Sequence, residues 1–230
     1  MKIHRFINSS FNLDEKHLAV TDPEILNQWI NVLRFKAGEH VMLCDGLGYE
    51  ALATIEKVSD SEVLVNISDK HENLIQIKVN LYCAILKKEN FELVVQKAVE
   101  VGVNKIVPIS TKRTIKQNLK FDRLEKIIKE ASEQCGRATV PTISEIEIFE
   151  DSVASVSGGE NYLFDLSATE QFSKQNKGTE INLFVGPEGG FTEREVELAK
   201  NAGFKITSLG NLVLRGETAA IVAVWAGVNF

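Results

Sequence analysis

The chain changes rhythm about a third of the way along. Over residues 1–72, apolar and polar positions alternate in short runs, the period-two pattern of half-buried strands. The runs are Lys2–Ile7, His17–Val20, His40–Cys44, Tyr49–Lys57 and Glu62–Ser68. Asp45-Gly46-Leu47-Gly48 is a hairpin signal between the third and the fourth. Asp22-Pro23 opens a helical stretch that runs to Leu33, with Ile25, Trp29 and Val32 on one face. Several strands in so short a segment predict a small β-barrel.

From the polar stretch Lys70–Leu74 onward, strands alternate with helices. Ile77–Leu86 reads as a strand, and Phe91, Val94, Val95, Ala98 and Val101 mark a helix face closed by Gly102. Lys105–Ile109 is the next strand, and Leu124, Ile127, Ile128 and Ala131 mark the next helix. Tyr162–Leu166, Ile181–Val185 and Lys205–Leu209 follow as strands, with a helix over Glu193–Asn201 between the last two. This order predicts an α/β domain with a mostly parallel sheet covered on both faces. Thr218–Val228 closes the chain as a helix apolar on nearly every side, which is buried all round, in this core or against a second subunit. The pattern divides the chain into residues 1–72 and 73–230.

Composition narrows the function classes. Of the 230 residues, 44% are hydrophobic and 25% charged, ordinary values for a globular protein. No run approaches the roughly 18 apolar residues that cross a bilayer, and Ile3, Phe6 and Ile7 read as a strand, not a targeting segment. Cys44, Cys83 and Cys135 are odd in number and widely spaced, which suits reduced thiols in a cytoplasm and supplies no zinc spacing. His4, His17, His40 and His71 are the only histidines, and residues 72–230 hold none, so that region carries no histidine-based triad. Gly-x-Ser-x-Gly is absent. Gly46-x-Gly48 lacks the third glycine and the following helix of a dinucleotide fingerprint.

The net charge of −6 hides a strong asymmetry. Residues 1–72 carry 7 basic and 12 acidic side chains, residues 73–140 carry 13 and 7, and residues 141–230 carry 6 and 13. An acidic protein with one basic segment still meets a polyanion there, because attraction to phosphate is local and screened over about 10 Å. The basic set is Lys112, Arg113, Lys116, Lys120, Arg123, Lys126 and Lys129, followed by Glu133-Gln-Cys-Gly136-Arg137. It reads either as a solvated face or as a phosphate-binding patch, and Arg137 as a charge at a helix C-terminus.

Two glycine-bearing turns hold the chemistry. Ile181–Val185 runs into Gly186-Pro-Glu-Gly-Gly190-Phe191, after which Thr192-Glu-Arg-Glu195 forms a capping box. Lys205–Leu209 runs into Gly210-Asn-Leu212-Val-Leu214-Arg215-Gly-Glu217-Thr218-Ala219. Strand–turn–helix order puts bare backbone at the carboxyl edge of a sheet, where open α/β sheets bind ligands and where glycine lets a flat ring lie close. Arg215, Glu217 and Thr218 stand at a helix start, as a cap or as site residues.

Together these segments are more specific than any one of them. Gly-Pro-Glu-Gly-Gly-Phe at 186–191, Leu-Gly-x-x-Val-Leu-Arg-x-Glu-Thr-Ala at 209–219, Glu-Gln-Cys-Gly-Arg at 133–137 and Gln96-Lys97 before Glu100-Val-Gly102-Val resemble one family. So do Arg5-Phe6 and Val32-Leu33-Arg34. It is the ribosomal RNA small subunit methyltransferase E family of the SPOUT superfamily, and the resemblance covers essentially the whole chain.

The resemblance implies a PUA-like, RNA-binding β-barrel over 1–72. Over 73–230 it implies a SPOUT α/β methyltransferase domain with a deep trefoil knot that binds S-adenosylmethionine and forms a homodimer. The implied reaction is methylation of N3 of one uridine in 16S rRNA, on the small ribosomal subunit, with no metal. Backbone around Gly186, Gly190, Gly210, Leu212, Thr218 and Ala219 would meet the cofactor, and Phe164, Val185, Leu209 and Leu214 would sandwich its adenine. Arg215 would stabilise the uracil anion, with Glu217 as base or as helix cap. Arg34, Arg113 and Arg137 would grip RNA phosphates, with Arg5 orienting the barrel's share. The alternatives are a related enzyme acting on tRNA or a ribose 2′-hydroxyl, and a non-catalytic RNA-binding module of ribosome assembly. Two departures stand out: Gln28 where the family often has histidine, and Gly216 where it often has threonine.

Overall fold

The computed structural model describes residues 3–115, 118–173 and 180–230. Lys2 and Lys116, named above, lie outside the described residues. The chain forms two compact units, Met1–Leu74 with Ser132–Val140, and Ile75–Ala131 with Pro141–Phe230.

The first unit contains β1 (His4–Ile7), β2 (His17–Val20), β3 (His40–Cys44), β4 (Tyr49–Val58) and β5 (Val63–Glu72). They form one sheet in the order β1-β3-β4-β5-β2, parallel between β1 and β3 and antiparallel elsewhere. The alternating residues that predicted strands put Val41, Leu43, Ala51, Ala53, Ile55, Val63 and Val65 into one core with Phe6 and Trp29. β5 runs past its expected end at Ser68, because Lys70, His71 and Glu72 still pair with Ala51, Glu50 and Tyr49 across the ladder. The hairpin is held by Asp45, whose Oδ1 accepts from the amides of Leu47, Gly48 and Tyr49. Gly48 sits at φ +119 with Leu74 packed where a Cβ would go.

The expected helix from Asp22 starts as read. Asp22 Oδ1 accepts from the amides of Glu24 and Ile25, and Pro23 occupies the first turn of α1 (Pro23–Leu26). From Asn27 to Val32 it widens into a π-helical turn, with Leu33 N–H donating to Gln28 O at 2.8 Å. The wider turn keeps Trp29 fully buried but rotates Val32 out to 67% exposure, off the face assigned to it. Arg34, at φ +55, ends it in the left-handed region. Residues 132–140 join this unit through Thr139, bridged to Gly46 and Leu47, and through Ala138 and Val140, packed with Ile7 and Cys44.

In the second unit, β6 (Lys78–Ala84), β7 (Lys105–Ser110), β8 (Thr142–Ile143), β10 (Glu160–Phe164), β11 (Glu180–Val185) and β12 (Lys205–Thr207) form a parallel sheet. Its order is β12-β10-β11-β6-β7-β8, with the two-residue β9 (Glu147–Ile148) also on β7. Five helices follow the strands: α2 (Lys88–Glu100), α3 (Phe121–Cys135), α4 (Phe149–Ser155), α5 (Glu193–Asn201) and α6 (Gly216–Asn229). Phe149 and Val153 of α4 and Ala199 of α5 pack with Tyr82, Leu163 and Phe184 of the strands, the Tyr82 and Phe184 rings stacking at 4.2 Å. α6 packs on α2, β6 and β11. Asn80, Asn104, Asn161 and Asn182 cross-link the strand starts side chain to side chain.

Within the single chain, α6 buries one face in this core and leaves the other open. Its face of Gly216, Ala220, Ala223, Val224 and Gly227 is buried, but Trp225 is 46% and Phe230 64% exposed. Small residues decide which face goes in: a Cβ on Gly227 would come within 3.1 Å of Leu183, so this face approaches the sheet closely.

Candidate active site

Four strand ends of the second unit, β7 (through Arg113 and Ile115), β10, β11 and β12, with two helix starts, line a cavity of about 920 Å³, within the roughly 300–1,000 Å³ typical of small-molecule sites. After β10 come Phe164, Asp165 and Ser167; after β11, Gly186–Phe191; after β12, Ser208–Arg215. Lys87 and Asn90 enter from the start of α2, and Glu217 and Ala219 from α6. Parallel strands all point their carboxyl ends the same way, so loops distant in sequence converge at one edge.

The β11 turn is tightly specified. A Cβ on Gly186 would lie 3.1 Å from the Phe191 ring, and Gly190 takes φ +67 while its amide donates to Pro187 O at 2.8 Å. Thr192 and Glu195 make the expected capping box and start α5. Arg113 Nη1 donates to the carbonyls of Gly189 at 2.6 Å and Phe191 at 3.1 Å. In the β12 turn, Gly210 takes φ +124 with open space beside it, and Leu212 and Val213 are 79% and 78% exposed.

Of the residues expected to hold the cofactor, Phe164, Val185, Gly186, Gly190, Leu209, Gly210, Leu212, Leu214 and Ala219 line the cavity, while Thr218 is exposed and outside its lining. Phe164, Val185, Leu209 and Leu214 give apolar walls, and the open space at Gly190 and Gly210 leaves bare backbone beside them. Apolar faces with backbone amides at the edge suit the flat ring of an adenosine, so these residues fit S-adenosylmethionine.

Arg215 occupies the N-cap of α6 and makes no side-chain cap bond. Glu217 accepts a long bond from Asn90 Nδ2 at 3.4 Å. A Cβ on Gly216 would approach Leu86 to 2.9 Å, so the departure from threonine is matched by a buried leucine. Burial pushes the Cys83 thiol up to about 12, which removes it as a nucleophile at neutral pH. Among the described residues no cluster of His, Cys, Asp and Glu is arranged to hold a metal ion.

The arginines expected at RNA differ in their surroundings. Arg34 is exposed. Arg5 is paired with the buried Glu50 and also donates to Cys44 Sγ at 3.2 Å. Burial by itself raises the Glu50 carboxyl, but Arg5, Asn73 and His71 outweigh it and hold the group below its ordinary value. Arg137 is buried beside Thr139, and burial lowers its guanidinium to about 10. Lys87, Asn90, Asp165 and Glu188 line the cavity without having been singled out. Nothing local marks them, since their place depends on which strand ends meet.

A parallel sheet with backbone-rich turns at its carboxyl edge, joined in one chain to a small β unit, defines the class, and the chain's similarities agree. Residues 73–226 match the family described as RNA methyltransferase domain, and residues 30–68 the RNA methyltransferase PUA domain. Ribosomal RNA small subunit methyltransferase E of Rickettsia conorii is 30% identical, over 97% of this chain and 94% of the relative. Among solved structures, the enzyme of that name from Neisseria gonorrhoeae, bound to S-adenosyl methionine, has a TM-score of 0.89 at 27% identity, covering 97% of this chain and 95% of that one. A methyltransferase of Legionella pneumophila in complex with the same cofactor has a TM-score of 0.84 at 31% identity, covering 97% and 96%. The chain belongs to the ribosomal RNA small subunit methyltransferase E family.

Proposed function

We propose that the chain transfers a methyl group from S-adenosylmethionine to N3 of one uridine in 16S rRNA, within the small ribosomal subunit. The observation that carries this is the apolar slot of Phe164, Val185, Leu209 and Leu214 between two bare-backbone turns, with Arg215 and Glu217 at its edge. When bound, S-adenosylmethionine supplies a methyl group already activated by its sulfonium charge. The chain's own work is then positioning, worth up to about 7–11 kcal/mol in favourable cases, and charge stabilisation. Backbone groups of the two turns fix the adenine edge, and the apolar walls hold its faces. Uracil N3 must lose its proton: Arg215 stabilises the resulting imide anion, and Glu217, steadied by Asn90, accepts the proton.

Arg34 and the exposed Lys112, Lys120 and Lys126 meet RNA phosphates in this reading, while Arg5 and Arg137 support the first unit from within. The protein acts in the cytoplasm as a homodimer through the exposed face of α6, on which Trp225 stands with the Phe230 ring against it from beyond the helix end. The chain threads a deep trefoil knot around the turns. In support, α6 follows β12 at one edge of the sheet yet packs on β11 and β6 inside it.

The test is methyl transfer from labelled S-adenosylmethionine to undermethylated small subunits, with naked rRNA and tRNA in parallel. Label at a uridine N3 of the subunit, lost in Arg215→Ala, is expected. Label on tRNA or on a ribose overturns the substrate, and no cofactor binding overturns the enzyme.

A further inference from the structure

The loop after β7, Thr111–Ile115, touches the cofactor turn directly through Arg113 and the start of the helix that follows the turn, α5, through Lys112. Arg113 lays its stem along Gly189, where a Cβ would sit 3.3 Å from Arg113 Cδ, and its Nη1 bonds the Gly189 and Phe191 carbonyls. One residue earlier, the Lys112 amide donates to Glu195 Oε1 at 2.8 Å. The other oxygen of Glu195 accepts from the Thr192 amide at 2.7 Å and the Thr192 hydroxyl at 2.8 Å. Glu195 is buried, with both oxygens engaged. The loop itself is closed by Thr111 N–H donating to Thr114 Oγ1 at 2.9 Å.

We infer that Arg113 and Glu195 are positioning residues that lock the Gly186–Phe191 turn in its ligand-receiving conformation, so that Arg113 serves the cofactor and not an RNA phosphate. The inference rests on the reading of the cavity as the S-adenosylmethionine site. A turn with three glycines has a broad unbound ensemble, and ordering it on binding costs affinity. The clamp removes that cost beforehand. With two carbonyls drawn onto one guanidinium, the peptide planes of the turn are set before a ligand arrives. Both bonds come from one nitrogen, Nη1, whose two hydrogens lie in the guanidinium plane and so fix the directions of both acceptors, which the freely rotating ammonium of lysine does not. The arrangement also links the basic segment to the cofactor turn, because the clamping loop lies between β7 and the lysines at 120–129.

The experiment compares full-length wild type, Arg113→Ala, Arg113→Lys and Glu195→Gln. It measures S-adenosylmethionine affinity by calorimetry, amide exchange of residues 189–191, and the salt dependence of RNA affinity. In Arg113→Ala, cofactor binding weakens by about 10- to 100-fold, the size expected from losing charge-assisted hydrogen bonds. Exchange in the turn quickens, and the salt slope stays unchanged. Arg113→Lys retains the charge and recovers part of the loss; Glu195→Gln, which forfeits one acceptor oxygen, shows the same loss more weakly. If Arg113→Ala does not fold, these two carry the test. Unchanged cofactor affinity and exchange overturn the inference, as does a salt slope reduced by about one with cofactor affinity intact, which makes Arg113 a phosphate ligand. A wild type that binds no cofactor overturns the functional reading instead, and the exchange rates then decide whether the clamp exists.

Discussion

Replacing Glu50 by alanine probes a buried charge pair of the first unit. The Glu50 side chain is 6% exposed and accepts from Arg5, from His71 at 3.0 Å and from Asn73 at 2.9 Å; the Arg5 side chain is 16% exposed. Removing the carboxylate leaves Arg5 desolvated with Cys44 as its remaining acceptor and strips Asn73 of one partner. Breaking a buried pair from one side costs about 3–5 kcal/mol. The residual exposure of Arg5 and the solvent access of His71 place this case at the lower end, about 3 kcal/mol. Urea unfolding of the full-length protein, read as a shift in midpoint at constant slope, measures it. The double variant Arg5→Ala/Glu50→Ala recovers part of the loss, because no orphaned charge remains. A Glu50→Ala loss below about 1 kcal/mol, or strict additivity in the double variant, refutes the account of a buried pair whose cost lies in the stranded arginine.

Three further outcomes are expected from the same structure. Because Glu50 titrates below its ordinary value of 4.5 in the folded protein, its contribution is full above that pH and is lost as pH falls through the lower folded value. The stability gap between wild type and Glu50→Gln therefore narrows on acidification, and a gap that widens contradicts the assignment. Gly186→Ala puts a methyl 3.1 Å from the Phe191 ring and displaces the turn. S-adenosylmethionine affinity falls by about tenfold, checked by calorimetry, while urea stability drops by about 1–3 kcal/mol. If the proposed homodimer forms through the exposed face of α6, Trp225→Asp turns it into a monomer in sedimentation at micromolar concentration, and an unchanged sedimentation coefficient removes that face from the interface.

Local patterns were legible wherever the causes are local. The capping box of Thr192 and Glu195, the Asp22-Pro23 helix start and the alternation in β3 to β5 each depend on neighbours within a few residues, and the chain displays them directly. The two glycine turns that line the cavity were legible for a related reason: glycines beside a strand end mark bare backbone, whatever surrounds them. α4, β8 and β9 went unread because they are two to seven residues long, too short for a period to show. The π-helical turn at Asn27–Val32 follows no residue pattern visible beforehand, and it carried Val32 off its expected face.

By itself the sequence determined the succession of the longer strands and helices, the two glycine turns and the family. These are written in short-range periodicity and in the order of motifs. Only the tertiary structure decided which charges meet. Arg5 and Glu50 stand 45 residues apart, and Arg113 and Gly189 stand 76 apart, so neither partnership leaves a local trace. It also decided the orientation of α6, whose apolar residues surround the helix and mark no face as inner. Close approach selects the face with the smallest side chains for the sheet and leaves Trp225 outside this chain's core, because interior packing is decided by volume as well as by hydrophobicity.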